Sequence, residues 1–401
     1  MKIIGIVAEY NPFHNGHLYH LEQARAKTGA SHAIAVLSGN FVQRGEPAII
    51  DKNARVLMAL RAGVDVVVEL PYMYALSSAG YFAGGAVSLL HNMGVVNCIA
   101  FGAEAKVNEL EAVANILRRE PQDFKSALRG NLSLGLSYPD ARARALSSYD
   151  DSFDILKGPN NVLGIEYINS IARLGSKMSA VAIERTVPHI GGRAGRFASA
   201  SEIRKSLLSG RLEDAGSFMP GFAVDILERA GAYHRLNNLS DVLHYRIRTQ
   251  SSEELCQIAE ISEGLENRIT HFSRQFASLE GIISQVKTKR YTLSKIKRCF
   301  LNIILNVRKD TFAMAQKHGP AYVRILGFRK ESQALLAYIE ANSKIPMITN
   351  IKNAKHMDAY TRQSLESELR TTDIYALSAD KQGQPRLDGR EAEYKTPIVC
   401  Y

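Results

Sequence analysis

Cysteine is scarce in this chain of 401 residues, and the four cysteines lie far apart in the sequence. They are Cys98, Cys256, Cys299 and Cys400, and no two of them form a C-x-x-C pair. Disulfide-rich domains and structural zinc sites both require closely spaced cysteines. The pattern therefore predicts reduced, mostly buried thiols, and it argues against a disulfide framework or a zinc site.

Long apolar runs are also missing from the sequence. No stretch reaches the length that a membrane-spanning helix needs. The N-terminus is a short strand pattern followed by Glu9, which is unlike a signal peptide. We therefore expect a cytoplasmic protein without membrane association, and nothing in the sequence indicates an obligate protein partner. The apolar content of 46% is ordinary, and the length allows two or three domains.

Acidic residues are almost absent from one part of the chain. Between Gly281 and Lys330 there are twelve Lys and Arg residues and one acid, Asp310. Such asymmetry is typical of a surface that binds a polyanion, although a charge run is also found on the solvated face of a partly buried helix. We favour RNA, because a tyrosine that could stack on a base lies among the cations. The predicted RNA-binding residues are Lys287, Lys289, Arg290, Tyr291, Lys295, Lys297 and Arg298.

The first seventeen residues carry the strongest motif. An apolar strand pattern over 2–8 leads into His14-Asn15-Gly16-His17, at the start of a helix predicted over about 16–27. A parallel strand delivers such a loop to the carboxyl edge of its sheet, and the helix N-terminus offers N–H groups to phosphate. Gly16 allows a ligand to approach the backbone. His14 and His17 face one side of the first turn and can donate to phosphoryl oxygens.

A second motif extends from Arg196 to Lys205. Either Ser199 or Ser201 can cap the helix that follows. Arg204, one turn later, can present its guanidinium to phosphate oxygens. Taken alone, these residues are explained equally well by an ordinary capped helix with a solvated arginine. The presence of the first motif favours the phosphate-binding role.

Strand and helix patterns alternate through the first hundred residues, which predicts an α/β fold with a doubly wound parallel sheet. A polar, helical insertion is expected at about 107–154. After Arg204 the pattern is mostly helical to about residue 342. We therefore predict a catalytic domain over 1–212 and a mostly helical, basic, RNA-binding domain over 213–401 that includes a C-terminal tail.

The two motifs resemble the H-x-G-H and I-S-S-T-x-x-R signatures of the nucleotidylyltransferase superfamily, although Ala198 and Ala200 depart from the second. Longer blocks are more specific, and they resemble the bacterial tRNA-Met cytidine acetate ligase family over essentially the whole chain. These blocks are residues 5–17, 38–47, 69–71, 101–104, 157–167 and 346–350.

The resemblance implies a Rossmann-like fold and an AMP-forming ligase. Such an enzyme adenylates acetate with ATP and transfers the acetyl group to the N4 amine of the wobble cytidine of elongator tRNA-Met. Magnesium would accompany ATP, held mainly by phosphate oxygens and water, so no metal-ligating residues are predicted. Asn40 and Arg44 are candidates for the border of the acetate and anticodon site. No general base for acetyl transfer is evident from the sequence.

The same resemblance implies the roles of individual residues. His14, His17 and Arg204 are the predicted catalytic residues, acting on the phosphates. Gly102 would let adenine or ribose lie close to a strand end, and either Asn160 or Asn161 would contact the nucleotide. The predicted ATP-binding residues are Val7, Ala8, Glu9, Tyr10, Asn11, Pro12, Phe13, His14, Asn15, Gly16, His17, Leu18, Tyr19, His20, Gly102, Asn160, Asn161, Arg185, Ser199 and Ser201.

Other functional classes explain less of the sequence. A nucleotidylyltransferase of cofactor biosynthesis, acting on a small molecule, would share both motifs but would leave the basic helical region unexplained. A non-catalytic RNA-binding protein would have no reason to retain His14, His17 and Arg204 together. A metal hydrolase is disfavoured because the histidines lack a carboxylate-rich helix at ligand spacing.

Overall fold

The computed structural model describes residues 1–147, 149, 155–184, 193–380 and 389–401. The strands and helices, in chain order, are β1 (Ile3–Ala8), α1 (Asn15–Thr28), β2 (His32–Ser38), β3 (Phe41–Val42), β4 (Glu46–Pro47), α2 (Lys52–Arg61), β5 (Val66–Leu70), α3 (Tyr72–Ala75), α4 (Ala79–Asn92), β6 (Cys98–Ala103), α5 (Val107–Arg119), α6 (Gln122–Ser133), α7 (Tyr138–Ala145), α8 (Pro159–Arg173), β7 (Ser179–Glu184), β8 (Arg193–Ala194), β9 (Phe197–Ala198), α9 (Ala200–Leu208), α10 (Leu212–Gly216), α11 (Gly221–Glu228), α12 (Ser240–Thr249), α13 (Ser252–Cys256), α14 (Leu265–Ser273), α15 (Leu279–Val286), α16 (Leu293–Leu305), α17 (Lys309–His318), β10 (Val323–Phe328), α18 (Gln333–Asn342), β11 (Met347–Ile348), α19 (Ala359–Ala376), α20 (Gly389–Lys395) and β12 (Val399–Cys400). Short 3-10 helices span Leu236–Leu239, Lys330–Ser332 and Ile351–His356.

Five parallel strands form the centre of the main sheet, in the order β5-β2-β1-β6-β7. The chain moves outward from β1 through β2 and β5, and then returns to the other side of β1 with β6 and β7. The strand order therefore reverses between β1 and β6, which is where doubly wound sheets bind their ligands. The predicted doubly wound parallel sheet is confirmed, and the loop after β1 lies at this reversal.

The central strands are apolar along their whole length because helices cover both faces of the sheet. In β2, Ile34 and Val36 belong to one buried cluster, whereas Ala33, Ala35 and Leu37 belong to the other. Successive side chains of a strand point to opposite faces, so one strand contributes to both clusters. Helices α4, α5 and α8 contribute to the first cluster, and α1, α2 and α9 contribute to the second.

The C-terminal part of the chain returns to this sheet. β10 pairs antiparallel with β5, placing Ile325 opposite Val68, and β11 and β12 lie parallel along its outer side. The expectation of mostly helical structure to about residue 342 did not include β10. This six-residue strand is apolar apart from Arg324 and Gly327, and in a basic, helical context it has no local feature that identifies its distant partner strand. The predicted boundary near residue 212 stays a prediction.

The region from α12 to α16 has its own apolar core, which includes Leu243, Ile283 and Phe300. Phe41 and Val42 of β3 also pack in this core. The β3–β4 hairpin therefore connects the helical region to the sheet. Gly45 at its turn has φ of 77°, and a Cβ there would lie 2.5 Å from the backbone nitrogen of Arg298.

The predicted insertion is helical where it is described, as α5, α6 and α7. Leu110 and Val113 of α5 are buried in the main core, so the first of these helices is part of the catalytic fold. Among the described helices, none has both the length and the apolar character required to cross a membrane.

Candidate active site

A buried arginine holds the loops that follow β1 and β2. Arg55 of α2 is 0% exposed. Its guanidinium donates to the backbone carbonyl oxygens of Glu9 at 2.9 Å, Ser38 at 2.8 Å and Gly39, and its Nε donates to that of Ile50 at 3.2 Å. The four carbonyl groups belong to three segments of the chain. Arg55 therefore fixes the two loops to each other and to the start of α2.

The two histidines of the first motif cap α1. The backbone N–H of Gly16 donates to Nδ1 of His14 at 3.0 Å, and the N–H of His14 donates to Nδ1 of His17 at 3.2 Å. The rings are stacked with their centroids 3.7 Å apart. Because each Nδ1 accepts a hydrogen bond, the proton of each neutral imidazole is assigned to Nε2. Both rings therefore offer an Nε2–H donor, as a phosphate site requires.

The second motif forms the start of α9. Ser199 is its N-cap, accepting from the N–H of Glu202 at 3.3 Å, and the hydroxyls of Ser199 and Ser201 are 2.9 Å apart. Arg204 donates from Nη1 to the carbonyl oxygen of Asn11 at 2.8 Å. The guanidinium is thereby held against the loop of the first motif, although the two motifs are far apart in the sequence.

These two motifs line one cavity of about 640 Å³ at the carboxyl edge of the sheet. Residues at the ends of β1 and β6, in the first turns of α1 and α9, and in α8 and α16 line it. The predicted residues that line it are Val7, Ala8, Glu9, Tyr10, His14, Gly16, His17, Tyr19, His20, Gly102, Asn160, Ser199, Ser201 and Arg204. The structure therefore brings most of the predicted ATP site together.

The two asparagines at the start of α8 have different surroundings. Asn161 is 3% exposed, and its Oδ1 accepts from the N–H groups of Glu104 and Ala105 at 2.8 and 3.0 Å. Asn160 lines the cavity and donates to Oε1 of Glu104 at 2.6 Å. Asn161 therefore bonds to the loop after β6, and Asn160 is the member of the pair that lines the cavity. Arg185 lies outside the described residues.

The remaining predicted residues of the first motif are not among those that line the cavity, and most support its walls. Phe13 is 0% exposed in the core, and Leu18 packs against the same cluster. Asn11 Oδ1 accepts from the N–H of Ile49 at 2.7 Å, and Pro12 follows Asn11 through a cis peptide bond. Asn15 donates from Nδ2 to the carbonyl oxygen of Arg196 at 2.8 Å, so it ties the first motif to the second.

The cavity contains a partly buried carboxylate. Oε1 of Glu9 accepts from the N–H of Gln43 at 2.9 Å. Burial raises the pKa of Glu9 above its ordinary value, although the Gln43 N–H and the guanidinium groups of Arg204 and Arg44 act in the opposite direction. Arg44 lines the cavity as well.

A glutamate that the sequence did not single out joins the helical region to the catalytic site. Glu46 of β4 forms an ion pair with Lys297 of α16, and its Oε2 is 3.7 Å from Nη2 of Arg204. Burial alone would raise the pKa of Glu46, but the charges of Lys297 and Arg204 hold it below its ordinary value. It lies in a two-residue strand, which is too short to give a periodic signal in the sequence.

The predicted RNA-binding residues divide into two groups. Lys287, Lys289 and Arg290 are exposed, and we call them the exposed basic segment. Arg290 also pairs with Glu263 at 2.7 Å.

The other four predicted RNA-binding residues have intramolecular contacts. Tyr291 is 8% exposed, and the Nζ of Lys295 lies 5.0 Å from the centre of its ring. Arg298 is also 8% exposed and pairs with Glu260 at 2.9 Å, while Lys297 pairs with Glu46. These contacts stabilise the fold, and an RNA-binding role for the four stays a prediction.

A larger cavity of about 960 Å³ lies against α2 and β10. Its buried cations are neutralised, since Lys52 and Arg324 each pair with both Glu69 and Glu393 at 2.5 to 2.7 Å. It also contains Asn40, which donates to the hydroxyl of Thr372 at 2.8 Å. Asn40 and Arg44 therefore border different cavities. The smaller cavity is the better phosphate site, because it has the helix N-termini and the histidine donors.

Comparison with known proteins is consistent with this geometry. The family model described as HIGH Nucleotidyl Transferase matches residues 1–389. A tRNA(Met) cytidine acetate ligase of Thermoanaerobacter sp. (strain X514) is 40% identical over 398 residues, covering 97% of this chain and 98% of that one. The enzyme of the same name from Halothermothrix orenii is 38% identical, covering 95% and 94%.

Solved structures agree with the sequence relatives. The crystal structure of Thermotoga maritima TmcAL bound with alpha-thio ATP has a TM-score of 0.91 and 35% identity, covering 100% of this chain and 99% of that chain. The apo form of the same protein has a TM-score of 0.92 at the same identity and coverage. The chain therefore belongs to the tRNA(Met) cytidine acetate ligase family of HIGH nucleotidyl transferases.

Proposed function

We propose that this protein is an ATP-dependent ligase that acetylates the N4 amine of the wobble cytidine of elongator tRNA-Met. The observation that carries the proposal is the shared cavity. It combines the two phosphate-binding motifs with residues of α16, from the basic helical region. The names of the relatives support the choice of acetate and tRNA(Met) as substrates. Because ATP and tRNA are its substrates in this proposal, we infer that the enzyme acts in the cytoplasm.

The first step joins acetate to the α-phosphate of ATP and releases pyrophosphate. Negative charge spreads over the phosphoryl oxygens in its transition state, so the protein acts mainly by positioning and electrostatics. His14 and His17 each donate from Nε2, and the N–H groups at the start of α1 add the positive end of the helix dipole. Arg204 binds the outer phosphates, and Asn160 and Gly102 accommodate the nucleoside.

Magnesium enters this proposal together with ATP. In the part of the chain that the structure describes, no cluster of three or more His, Cys, Asp or Glu side chains is suited to a metal ion. Phosphate oxygens and water are its expected ligands, which is the usual arrangement for magnesium bound with a nucleotide.

The second step requires the anticodon loop to reach the same cavity. Thr292, Ser294 and Arg298, near the start of α16, line it. The exposed basic segment immediately precedes this helix. Its cations can contact the phosphates of the tRNA, while an unstacked cytosine enters the cavity.

A product assay tests the function directly. Purified protein is incubated with ATP, labelled acetate and elongator tRNA-Met, and each component is omitted in turn. We expect label in the tRNA only when ATP is present, with AMP as the nucleotide product. Turnover of ATP without label in any RNA would contradict the proposal and would favour transfer to a small molecule.

A further inference from the structure

Acetyl transfer to cytidine requires a group that removes a proton. When the N4 nitrogen attacks the acetyl carbon it acquires a positive charge, and the amide product forms only after one of its protons is lost. A side chain at the reacting atoms can accept that proton if it has an available lone pair. The described residues that line the ATP cavity include three histidines and two carboxylates as possible acceptors.

The hydrogen bonds of the histidines argue against them. Nδ1 of His14 and of His17 each accept a backbone N–H, so Nε2 carries the proton. A neutral imidazole in this state has no second lone pair to offer the substrate. His20 lies a further turn along α1, away from the helix N-terminus where phosphate is expected to bind.

The two carboxylates differ in position. Glu184 is exposed at the end of the edge strand β7, which is separated from β1 by β6. That separation places it about 10 Å from the end of β1. Glu9 immediately follows β1, at the reversal of strand order and next to the loop that carries His14. It is therefore the carboxylate close to the position of the acyl phosphate.

We propose that Glu9 is the general base of the acetyl-transfer step, an inference that rests on the proposed function. The N4 lone pair attacks the acetyl carbon and a C–N bond forms. The bond from that carbon to the phosphate oxygen breaks, and its electron pair leaves with AMP. One N4 proton passes to the Glu9 carboxylate, which later releases it to water. No further reactant is required.

The surroundings of Glu9 suit this role. Its backbone carbonyl is held by Arg55, and its Oε1 is fixed by the N–H of Gln43. The charged groups that face it are Arg204 of α9, Arg44 of the hairpin and Glu46 of β4, and Tyr167 of α8 also interacts with it. Burial raises the pKa of the Glu9 carboxyl, which makes the carboxylate a stronger base than an exposed glutamate.

The decisive variant is Glu9→Gln in the full-length protein, because the amide oxygen can still accept from Gln43 while the proton acceptor is lost. Adenylation is measured by acetate-dependent exchange between ATP and pyrophosphate. Transfer is measured by adding tRNA to enzyme that already holds labelled acetyl-adenylate. Because Glu9 lines the ATP cavity, both steps are compared with wild type, and we expect transfer to fall about 100-fold more than adenylation does, at the lower end of general-base effects.

The pH profile provides a second readout. Wild-type transfer should rise with pH through the pKa of Glu9, which lies above its ordinary value of 4.5, and Glu9→Gln should lack this rise. Glu22→Gln makes the same charge change on the exposed face of α1 and serves as the control. If Glu9→Gln transfers the acetyl group at the wild-type rate, or if adenylation and transfer are lost equally, the inference is overturned. Failure of the wild-type enzyme to label tRNA overturns the proposed function instead.

Discussion

Replacement of His17 by asparagine should separate its structural role from its catalytic role. Oδ1 of asparagine lies one bond beyond Cγ, as Nδ1 of histidine does, so it can accept the N–H of His14. No atom of asparagine reaches the position of Nε2. The His17→Asn variant should therefore retain the cap of α1 and lose one hydrogen bond to the phosphates, whereas His17→Ala should lose both.

The two losses differ in size. The cap bond is 3.2 Å long, at the upper end of the usual range, and contributes about 0.5–1 kcal/mol to stability. A donor aimed at charge in a transition state contributes about 3 kcal/mol, which corresponds to a rate factor on the order of 100. We expect His17→Asn to unfold like wild type and to adenylate acetate about 100-fold more slowly, with tRNA binding unchanged.

Acetate-dependent exchange of ATP with pyrophosphate measures the rate, and thermal unfolding measures the stability. His17→Ala provides the comparison, with the same loss of rate and a lower unfolding temperature. If His17→Asn exchanges ATP with pyrophosphate at the wild-type rate, the proposed hydrogen bond from Nε2 of His17 to the phosphates is refuted. An unfolding temperature as low as that of His17→Ala would show that the asparagine does not replace the cap.

Three further predictions concern the helical region and its junction with the sheet. Gly45→Ala should destabilise the protein by about 1–3 kcal/mol, because alanine is strained at positive φ and its Cβ would contact the backbone of Arg298; the midpoint of chemical denaturation measures this. Alanine substitution of all three cations in the exposed basic segment, at 287–290, should weaken tRNA binding and flatten its dependence on salt, with adenylation unaffected. Binding titrations at several salt concentrations measure this. An unchanged slope of log affinity against log salt concentration would contradict the prediction. The ion pair of Glu46 with Lys297 should stabilise the protein above the ordinary glutamate pKa of 4.5, and this contribution should be lost as the pH falls through the lowered folded-state pKa. Unfolding of wild type and Glu46→Gln across this acidic range should therefore converge as the pH decreases, and parallel curves would contradict the prediction.

Much of the site could be predicted because its motifs are local. The strand, the loop with His14 and His17, and the helix that follows are consecutive, so their order alone indicated phosphate binding. The same holds for Ser199 and Arg204 at the start of α9. The long blocks shared with the ligase family added the substrates, which no local pattern contains.

Contacts between distant segments could not be predicted in the same way. The sequence left the choice between Asn160 and Asn161 open, and only the hydrogen bonds to the loop after β6 assign Asn161 a structural role. The sequence also predicts that Lys297 and Arg298 belong to one basic surface. Their carboxylate partners, Glu46 and Glu260, lie in other parts of the chain.

The sequence by itself determined the alternating α/β pattern and the two phosphate-binding motifs, since both depend on residues that are neighbours along the chain. Only the tertiary structure decided that β10 joins the catalytic sheet and that Glu46 connects α16 with Arg204. The physical reason is that backbone propensity and capping act over a few residues. Strand pairing and ion pairs depend instead on packing between distant segments, such as those of Glu46 and Lys297, which lie 251 residues apart.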